Sequence, residues 1–276
     1  MARFDWYECT FHETDPVGLM RHLERAHPWA VIEPDRALYG YQVGYRLRRG
    51  PDVMARVWWQ GVAGVHVSCT SDYAHELAPL LREWGPHRVT RVDACEDWLH
   101  AGLFDRLAEH FVAYAVAHRI TLSQVGDWVR GEARTLYLGS KASAVRLVLY
   151  EKGYEQQSRP EWVRLEVRVR PKGRDAGEEV AQWTPGQCFA AARWVVGALE
   201  GLGWDHLQAR SVGTVYRPSD EERARRALAR QYGRVLERWL AESGSLEAFQ
   251  AELAALMKAR RAPRVQRVTT LHEGQA

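Results

Sequence analysis

The sequence predicts an α+β fold: antiparallel sheets in two strand-rich lobes with packed helices, plus a helical C-terminal region. Three observations predict it. Apolar and polar residues alternate with the period of a strand through much of the first two thirds of the chain, while the last third carries helical spacing. Runs of strands followed by runs of helices, separated by Gly and Pro punctuation, are the pattern of α+β rather than of alternating βαβ units.

In chain order, "FDWYECTF" alternates as a strand and "DPVGLMRHLERA" opens a helix, with Asp15 as its cap and Pro16 in its first turn. Alternation returns in "ALYGYQVGYRLRR", and "ARVWWQG" and "GVHVSCTS" read as two more strands before the helix "DYAHELAPLLREW". These form a first lobe, residues 1–85. The second lobe, residues 86–215, starts with the strand "RVTRVDACED" and the helix "LFDRLAEHFVAYAVAHR". Three strands follow in "RTLYLGS", "SAVRLVLYEKG" and "EWVRLEVRVRP", and then the helix "PGQCFAAARWVVGALEGL". Residues 216–276 make the helical basic region, in which Leu228, Tyr232, Val235 and Trp239 form an apolar stripe.

A chain of 276 residues with 46% hydrophobic side chains can bury a sizeable core. No apolar segment approaches the roughly 18 to 20 residues that span a bilayer. The opening "MARFDWYECT" lacks a signal-peptide pattern, so a cytoplasmic location is the default expectation. Cys9, Cys69, Cys95 and Cys188 are scattered without a C-x-x-C pair, which argues against a disulfide framework or a cysteine metal site and for buried thiols. A net charge of +3 is too mild to identify a nucleic-acid partner. Its distribution says more, because basic residues gather from Arg164 to Arg174 and from Arg223 to Arg267. No phosphate-binding G-x-x-x-x-G-K-[ST] loop, His-hydrophobe-His pair or serine nucleophile elbow is present.

Strand residues two apart share a face. In "EWVRLEVRVRP", Val163, Leu165, Val167 and Val169 make an apolar face and Arg164, Glu166, Arg168 and Arg170 a charged one. In the preceding strand Val145, Leu147 and Leu149 are apolar, which leaves Arg146, Tyr150 and Lys152 opposite; Arg91, Asp93 and Asp97 share a face of "VTRVDACED". Acidic, basic and phenolic groups can therefore meet on one surface. That set suits phosphodiester cleavage by a tyrosine: a phenol of pKa near 10 needs help to react. Asp93 and Glu166 could hold a divalent ion, while Lys152, Arg146 and Arg164 could neutralise phosphate charge. The same spacing also fits a solvated face on which Glu166 pairs with Arg164 and Arg168 and Tyr150 covers a sheet edge.

The segments "VTRVDACED", "RTLYLGSKASAVRLVLYEKGYEQ" and "EWVRLEVRVR", in this order over about residues 88–170, resemble the core of the replication initiation factor family, rolling-circle initiators of certain plasmids and filamentous phages. The later "ARRALARQYGRVLERW" looks like the helical tail of phage members. The resemblance implies that Tyr150 is the nucleophile and that Tyr154 has no counterpart. It implies Asp93 and Glu166 as ligands of Mg2+ or Mn2+, with Asp97 or Glu151 as an addition. It further implies that Ser140 and Lys141 of "LGSKAS" contact the DNA backbone; Arg146, Arg164 and Arg168 are offered to DNA by the charged strand faces instead. Arg146 stands farther from Tyr150 than the family's usual basic flank does. The implied activity is nicking and joining of single-stranded or hairpin origin DNA through a 5′-phosphotyrosyl link, with a host helicase as partner; a homodimer is left open. The alternative is a non-catalytic DNA-binding or phage regulatory protein on the same fold. For either reading, Arg226 and Arg230, with Arg223, Arg234 and "KARRAPRVQR", offer a basic surface to DNA.

Overall fold

A single strand, β1 (Arg3–Phe11), joins the two halves of the sheet. The computed structural model describes residues 1–61, 64–204, 206–212 and 220–261. After β1 the chain forms α1 (Pro16–Ala26), β2 (Val31–Pro34), β3 (Val43–Arg49), β4 (Asp52–Trp59), β5 (Val65–Thr70) and α2 (Asp72–Trp84). It continues with β6 (Arg88–Leu99), α3 (Leu103–Ala117), β7 (Leu122–Asp127), β8 (Glu132–Leu138), β9 (Val145–Glu151), α4 (Lys152–Glu155) and β10 (Trp162–Val169). Three short helices follow: α5 (Arg174–Val180), α6 (Pro185–Cys188) and α7 (Arg193–Leu199). Asp15 caps α1 by accepting from the backbone N–H groups of Val17 and Gly18, at 3.0 Å each, with Pro16 where no donor is needed.

The strands lie in the order β2-β3-β4-β5-β1-β6-β10-β9-β8-β7, and every neighbouring pair is antiparallel. The fold is α+β, with the strands of both lobes continuous in one sheet. Its continuity comes from β1 and the long β6, each of which has both edges paired. Residues Met1–Val215 form one compact unit and Tyr216–Ala276 another.

One face of the sheet is the core. Leu147, Leu149, Val163, Leu165, Val167, Val92 and Ala94 are buried there together with Leu77 and Leu81 of α2 and Phe104 and Phe111 of α3. All four cysteines are buried free thiols. The long helix read in "PGQCFAAARWVVGALEGL" is instead two helices, α6 and α7. Thr184 caps a single turn through a capping box, and Ala192 is extended at φ −154°, so the chain changes direction while Ala190 and Ala191 stay buried and Phe189 packs on Trp204. The edge strand β7 has no apolar alternation, since Ser123, Gln124 and Val125 are all exposed.

The second unit contains α8 (Asp220–Ser243) and α9 (Leu246–Arg261). Leu228, Tyr232 and Val235 of the apolar stripe are exposed, whereas Trp239 packs its ring on Phe249 and donates its indole N–H to Glu252. The basic "KARRAPRVQR" continues past α9, and its part beyond residue 261 lies outside the described residues.

The turn α4 ends β9 against the chain at Arg159. A Cβ on Gly153 would stand 1.8 Å from the Arg159 carbonyl oxygen, whereas one on Gly186 would meet nothing within 4 Å. Gly153→Ala should therefore cost about 1–3 kcal/mol, as overpacking does, and Gly186→Ala should leave the unfolding midpoint within error. Denaturant unfolding of the two variants checks the contrast.

Candidate active site

The face of the sheet opposite the core carries the charge, and the strand registers build it row by row. Tyr150 pairs with Arg164, which pairs with Asp97; Val148 pairs with Glu166, which pairs with Cys95; Arg146 pairs with Arg168, which pairs with Asp93. Asp93 faces Trp6 of β1 on its other side, and Thr135 and Tyr137 of β8 flank Tyr150 and Val148. A cleft of about 550 Å³ opens here, lined by Asp5, Arg91, Asp93, Tyr150, Glu166 and Arg168 among others.

At its centre the Tyr150 hydroxyl donates to Glu166 Oε2 at 3.4 Å. Arg168 donates through Nε to Glu166 Oε1 and stands 3.7 Å from Asp93 Oδ2, while Arg91 grips both oxygens of Asp93. Glu166 and Asp93 are almost wholly buried, each 2% exposed. Burial and the neighbouring Asp93 charge push the Glu166 carboxyl up to about 7, although Arg168 pulls the other way. Burial, then the Glu166 charge, push the Tyr150 phenol up as well, against the pull of Arg164. Burial thus keeps the resting phenol protonated and favours a proton on the Glu166 carboxyl beside it.

Of the residues singled out from sequence, Tyr150, Glu166, Asp93 and Arg168 meet in this cleft. Lys152 lines the cleft from the α4 turn rather than from the strand face and is largely buried, with Nζ 5.5 Å from the Tyr150 ring centre and bonded to Glu155 at 2.8 Å. Asp97 is drawn elsewhere: it accepts from Arg164 at 2.7 and 3.0 Å, from Trp162 at 2.9 Å, and pairs with Arg3. Burial opposes its ionisation, but the Arg164 bonds outweigh this and hold the carboxyl below its ordinary range. Arg164 is itself buried and also binds Asp5 at 2.7 Å, so its charge is spent within the protein. Glu151 is taken by Arg134, which bonds it through its backbone N–H and its guanidinium. Arg146 lies over the Tyr137 ring at 3.9 Å and donates to the Gly139 carbonyl. Ser140 bonds Ser143 in the turn between β8 and β9, at the opposite end of β9 from Tyr150, and Lys141 is exposed there. Arg226 and Arg230 belong to α8 in the second unit, and Arg226 pairs with Glu222. Tyr154 is 39% exposed and lines the cleft.

Two residues of the site, Asp5 and Tyr137, escape a reading of the sequence, which does place Arg91 on one face with Asp93. Asp5 and Arg91 supply its charge balance, and Tyr137 shares the open face; strand alternation in "RTLYLGS" points to Tyr137, but Asp5 lies 159 positions from the arginine it binds. Among the described residues no group of three or more His, Cys, Asp or Glu is placed to hold a metal ion. The Asp93–Glu166 pair offers two hard oxygen donors. Mg2+ is commonly held by one or two carboxylates completed by water and substrate phosphate, so the pair suits such an ion once its arginines let go.

Comparison with known proteins bears on this geometry. Residues 88–191, from β6 into the turn after α6, match the family model described as replication initiation factor. No curated protein matches the chain. Among solved structures it is similar to a rolling circle replication initiator protein from Geobacillus stearothermophilus, with 19% identity and a TM-score of 0.50 over 81% of this chain and 90% of that one. That likeness shows the fold, and the family match covers the segment that carries Asp93, Tyr150 and Glu166. No helix among the described residues is long and apolar enough to cross a membrane.

The raised Glu166 carboxyl sets a pH dependence. Its folded-state value of about 7 exceeds the ordinary 4.5, so the folded protein keeps a proton there that the unfolded chain releases. The group therefore stabilises at low pH, and this contribution is lost as pH rises from about 4.5 through about 7. In chelator, the melting temperature of Glu166→Gln minus that of the parent should grow more positive from about pH 5 to about pH 8. Thermal scans across that range check it; a difference constant with pH would contradict it.

Proposed function

From the replication initiation factor match over residues 88–191, we propose that this protein is a rolling-circle replication initiator whose Tyr150 nicks and rejoins origin DNA. The observation that carries the reading is the Tyr150 hydroxyl aimed at Glu166, with Arg168 and Asp93 beside it in one cleft. Nicking belongs to the segment 86–215, and residues 1–85 complete the open face through β1.

In this reading the phenolic oxygen attacks the scissile phosphorus as its proton passes to Glu166 Oε2. The P–O3′ bond breaks, the 3′-oxygen takes up a proton, and the 5′-phosphate remains on Tyr150. A phosphate entering the cleft draws Arg168 and Arg91 toward its oxygens, which frees the carboxylates they hold at rest. Asp93 and Glu166 would then hold the divalent ion, Mg2+ or Mn2+, which supplies charge neutralisation at the phosphate. Lys152, bonded to Glu155 at rest, lines the cleft beside the Tyr150 ring and adds positive charge there once a phosphate draws it from that partner. Unpaired or hairpin-extruded DNA is the favoured substrate, because a stacked duplex must be deformed before one phosphate can reach so narrow a site. The free 3′-hydroxyl primes synthesis, and extension from it requires a strand-separating helicase as partner. Exposed Arg230 on α8, with Arg226 beside Glu222, is a further basic surface for the backbone.

Incubation with labelled origin strand and divalent ion, followed by denaturing electrophoresis, tests the activity. Tyr150→Phe keeps the ring and removes the nucleophile, so adduct formation should fall to background while folding and DNA affinity persist. Tyr154→Phe should form adduct at the parental level. Absence of adduct with the parent protein, with DNA binding retained, would favour a non-catalytic DNA-binding protein.

The two carboxylates should separate by their response to metal. Asp93→Asn removes one hard ligand, so its cleavage should drop about 10- to 100-fold and recover partly in excess Mn2+. Glu166→Gln also removes the proton acceptor and should not recover at any metal concentration. Divalent ion should raise the melting temperature of the parent above pH 7 more than that of either variant. Equal recovery of both variants would assign Glu166 to metal binding alone.

A further inference from the structure

Away from Tyr150, the open face carries arginines that meet no carboxylate among the described residues. Arg146 is satisfied by the Tyr137 ring and the Gly139 carbonyl. Arg170 continues the charged face of β10 beyond Arg168 and its side chain has no ion pair among the described residues. Arg88 stands opposite Thr10, and its buried Nε has no hydrogen-bond partner among the described residues. Elsewhere on the sheet, by contrast, Arg46 and Arg48 are answered by Glu33 and Arg56 by Asp35. Burial, then Arg91 and Arg168, lower the pKa of Arg170 against the pull of Asp93 and Glu8, and burial with Arg168 and Arg170 lowers that of Arg146 against the pull of Tyr137. An anion over this region would relieve the repulsion among these arginines.

Beyond Arg88 the same row of the sheet turns aromatic. Thr10 bonds His66, which pairs across the strands with Trp58. Trp58 and Tyr41 stack on His66 with ring centres 5.7 and 6.0 Å away, and Tyr39 sets its edge against Trp58 at 5.7 Å. Burial, helped by Arg88, pushes the His66 imidazole down to about 4, so this stack is uncharged at neutral pH. Tyr39 is held at φ 56°, a left-handed conformation that such a bulky residue rarely adopts, and is 69% exposed. A cationic run that ends at one exposed ring, Tyr39, laid against the buried Trp58 and His66, matches the alternate phosphate and base chemistry of an unpaired strand. A duplex offers phosphates but keeps its base faces stacked.

We propose that Arg146, Arg170 and Arg88 form a phosphate track leading unpaired DNA from the Tyr150 cleft to a base-stacking station at Tyr39, supported by Trp58 and His66. By strand spacing and rise, the path covers roughly 35–40 Å of the sheet. The track extends the proposed nicking function, which supplies the reason for a strand at Tyr150, but its binding is measurable without cleavage.

The test is the affinity of the full chain for single-stranded DNA of random sequence, long enough to cover the face, measured over a range of salt. Arg88→Gln/Arg170→Gln should weaken binding and make the slope of log affinity against log salt shallower by about 1.4, about 0.7 for each phosphate no longer neutralised. Tyr39→Ser, at an exposed position, should weaken binding about 5- to 100-fold with little change of slope. Melting temperatures establish that both variants are folded; should the double variant fail to fold, Arg170→Gln alone should reduce the slope by about half as much. Parental affinity and slope in the variants would overturn the track, as would duplex DNA of equal length binding as tightly and with the same sensitivity to Tyr39→Ser. Adduct formation is scored separately. Adduct with unchanged variant binding sinks the track alone, and weakened variant binding without any adduct sinks the nicking reading alone.

Discussion

A side chain on a strand cannot choose its face independently of its neighbours, and in an antiparallel sheet that restriction passes from strand to strand through the register. Here it acts through β6, whose edges pair with β1 and β10. Once Val163, Leu165, Val167 and Val169 are committed to the core, Arg164, Glu166 and Arg168 must stand on the other face, and the partners across β9 and β6 must include Tyr150 and Asp93. A slip of one residue in β10 would bury its charges under the helices and expose its valines. The site is thus secured by the packing of the opposite face.

What that face does with its charges follows from their burial. Two carboxylates, Asp93 and Glu166, are nearly inaccessible, the Asp93 charge adds to burial in resisting the ionisation of Glu166, and Arg91 and Arg168 offset them. Breaking such a buried set by removing one partner leaves an uncompensated charge, which costs several kcal/mol, so the arginines can leave only for another anion while another cation meets the carboxylates they release. A DNA phosphate is an anion of the right kind. Arg164, Asp5 and Asp97 form a second set beside the first, closed on itself and better suited to holding β1, β6 and β10 together.

The α+β class, the cap of α1 and the face assignments of β9 and β10 are legible in the sequence, because they follow from periodicities that depend only on local geometry. The same alternation places Tyr150, Glu166 and Asp93 on one surface. Partner choice within the surface is not legible, because alternation assigns a face and says nothing of which arginine reaches which carboxylate; Asp97 shares a face with Asp93 yet is captured by Arg164. Asp5 joins from the far end of the chain by the pairing of β1 with β6, a long-range contact without a local signal. The break between α6 and α7 is hidden by apolar residues that stay buried on either side of a change in direction.

In the proposed reaction Tyr150 itself becomes bonded to the 5′-phosphate of a cleaved strand. The most direct measurement is mass spectrometry of the parent protein after reaction with origin DNA, nuclease trimming of the bound strand and proteolysis. A nucleotide remnant is expected on the peptide containing Tyr150, with fragment ions placing it on that residue. A remnant on Tyr137 or Tyr154 instead would contradict the assignment, and no modified peptide under conditions where the strand is cut would contradict a covalent route.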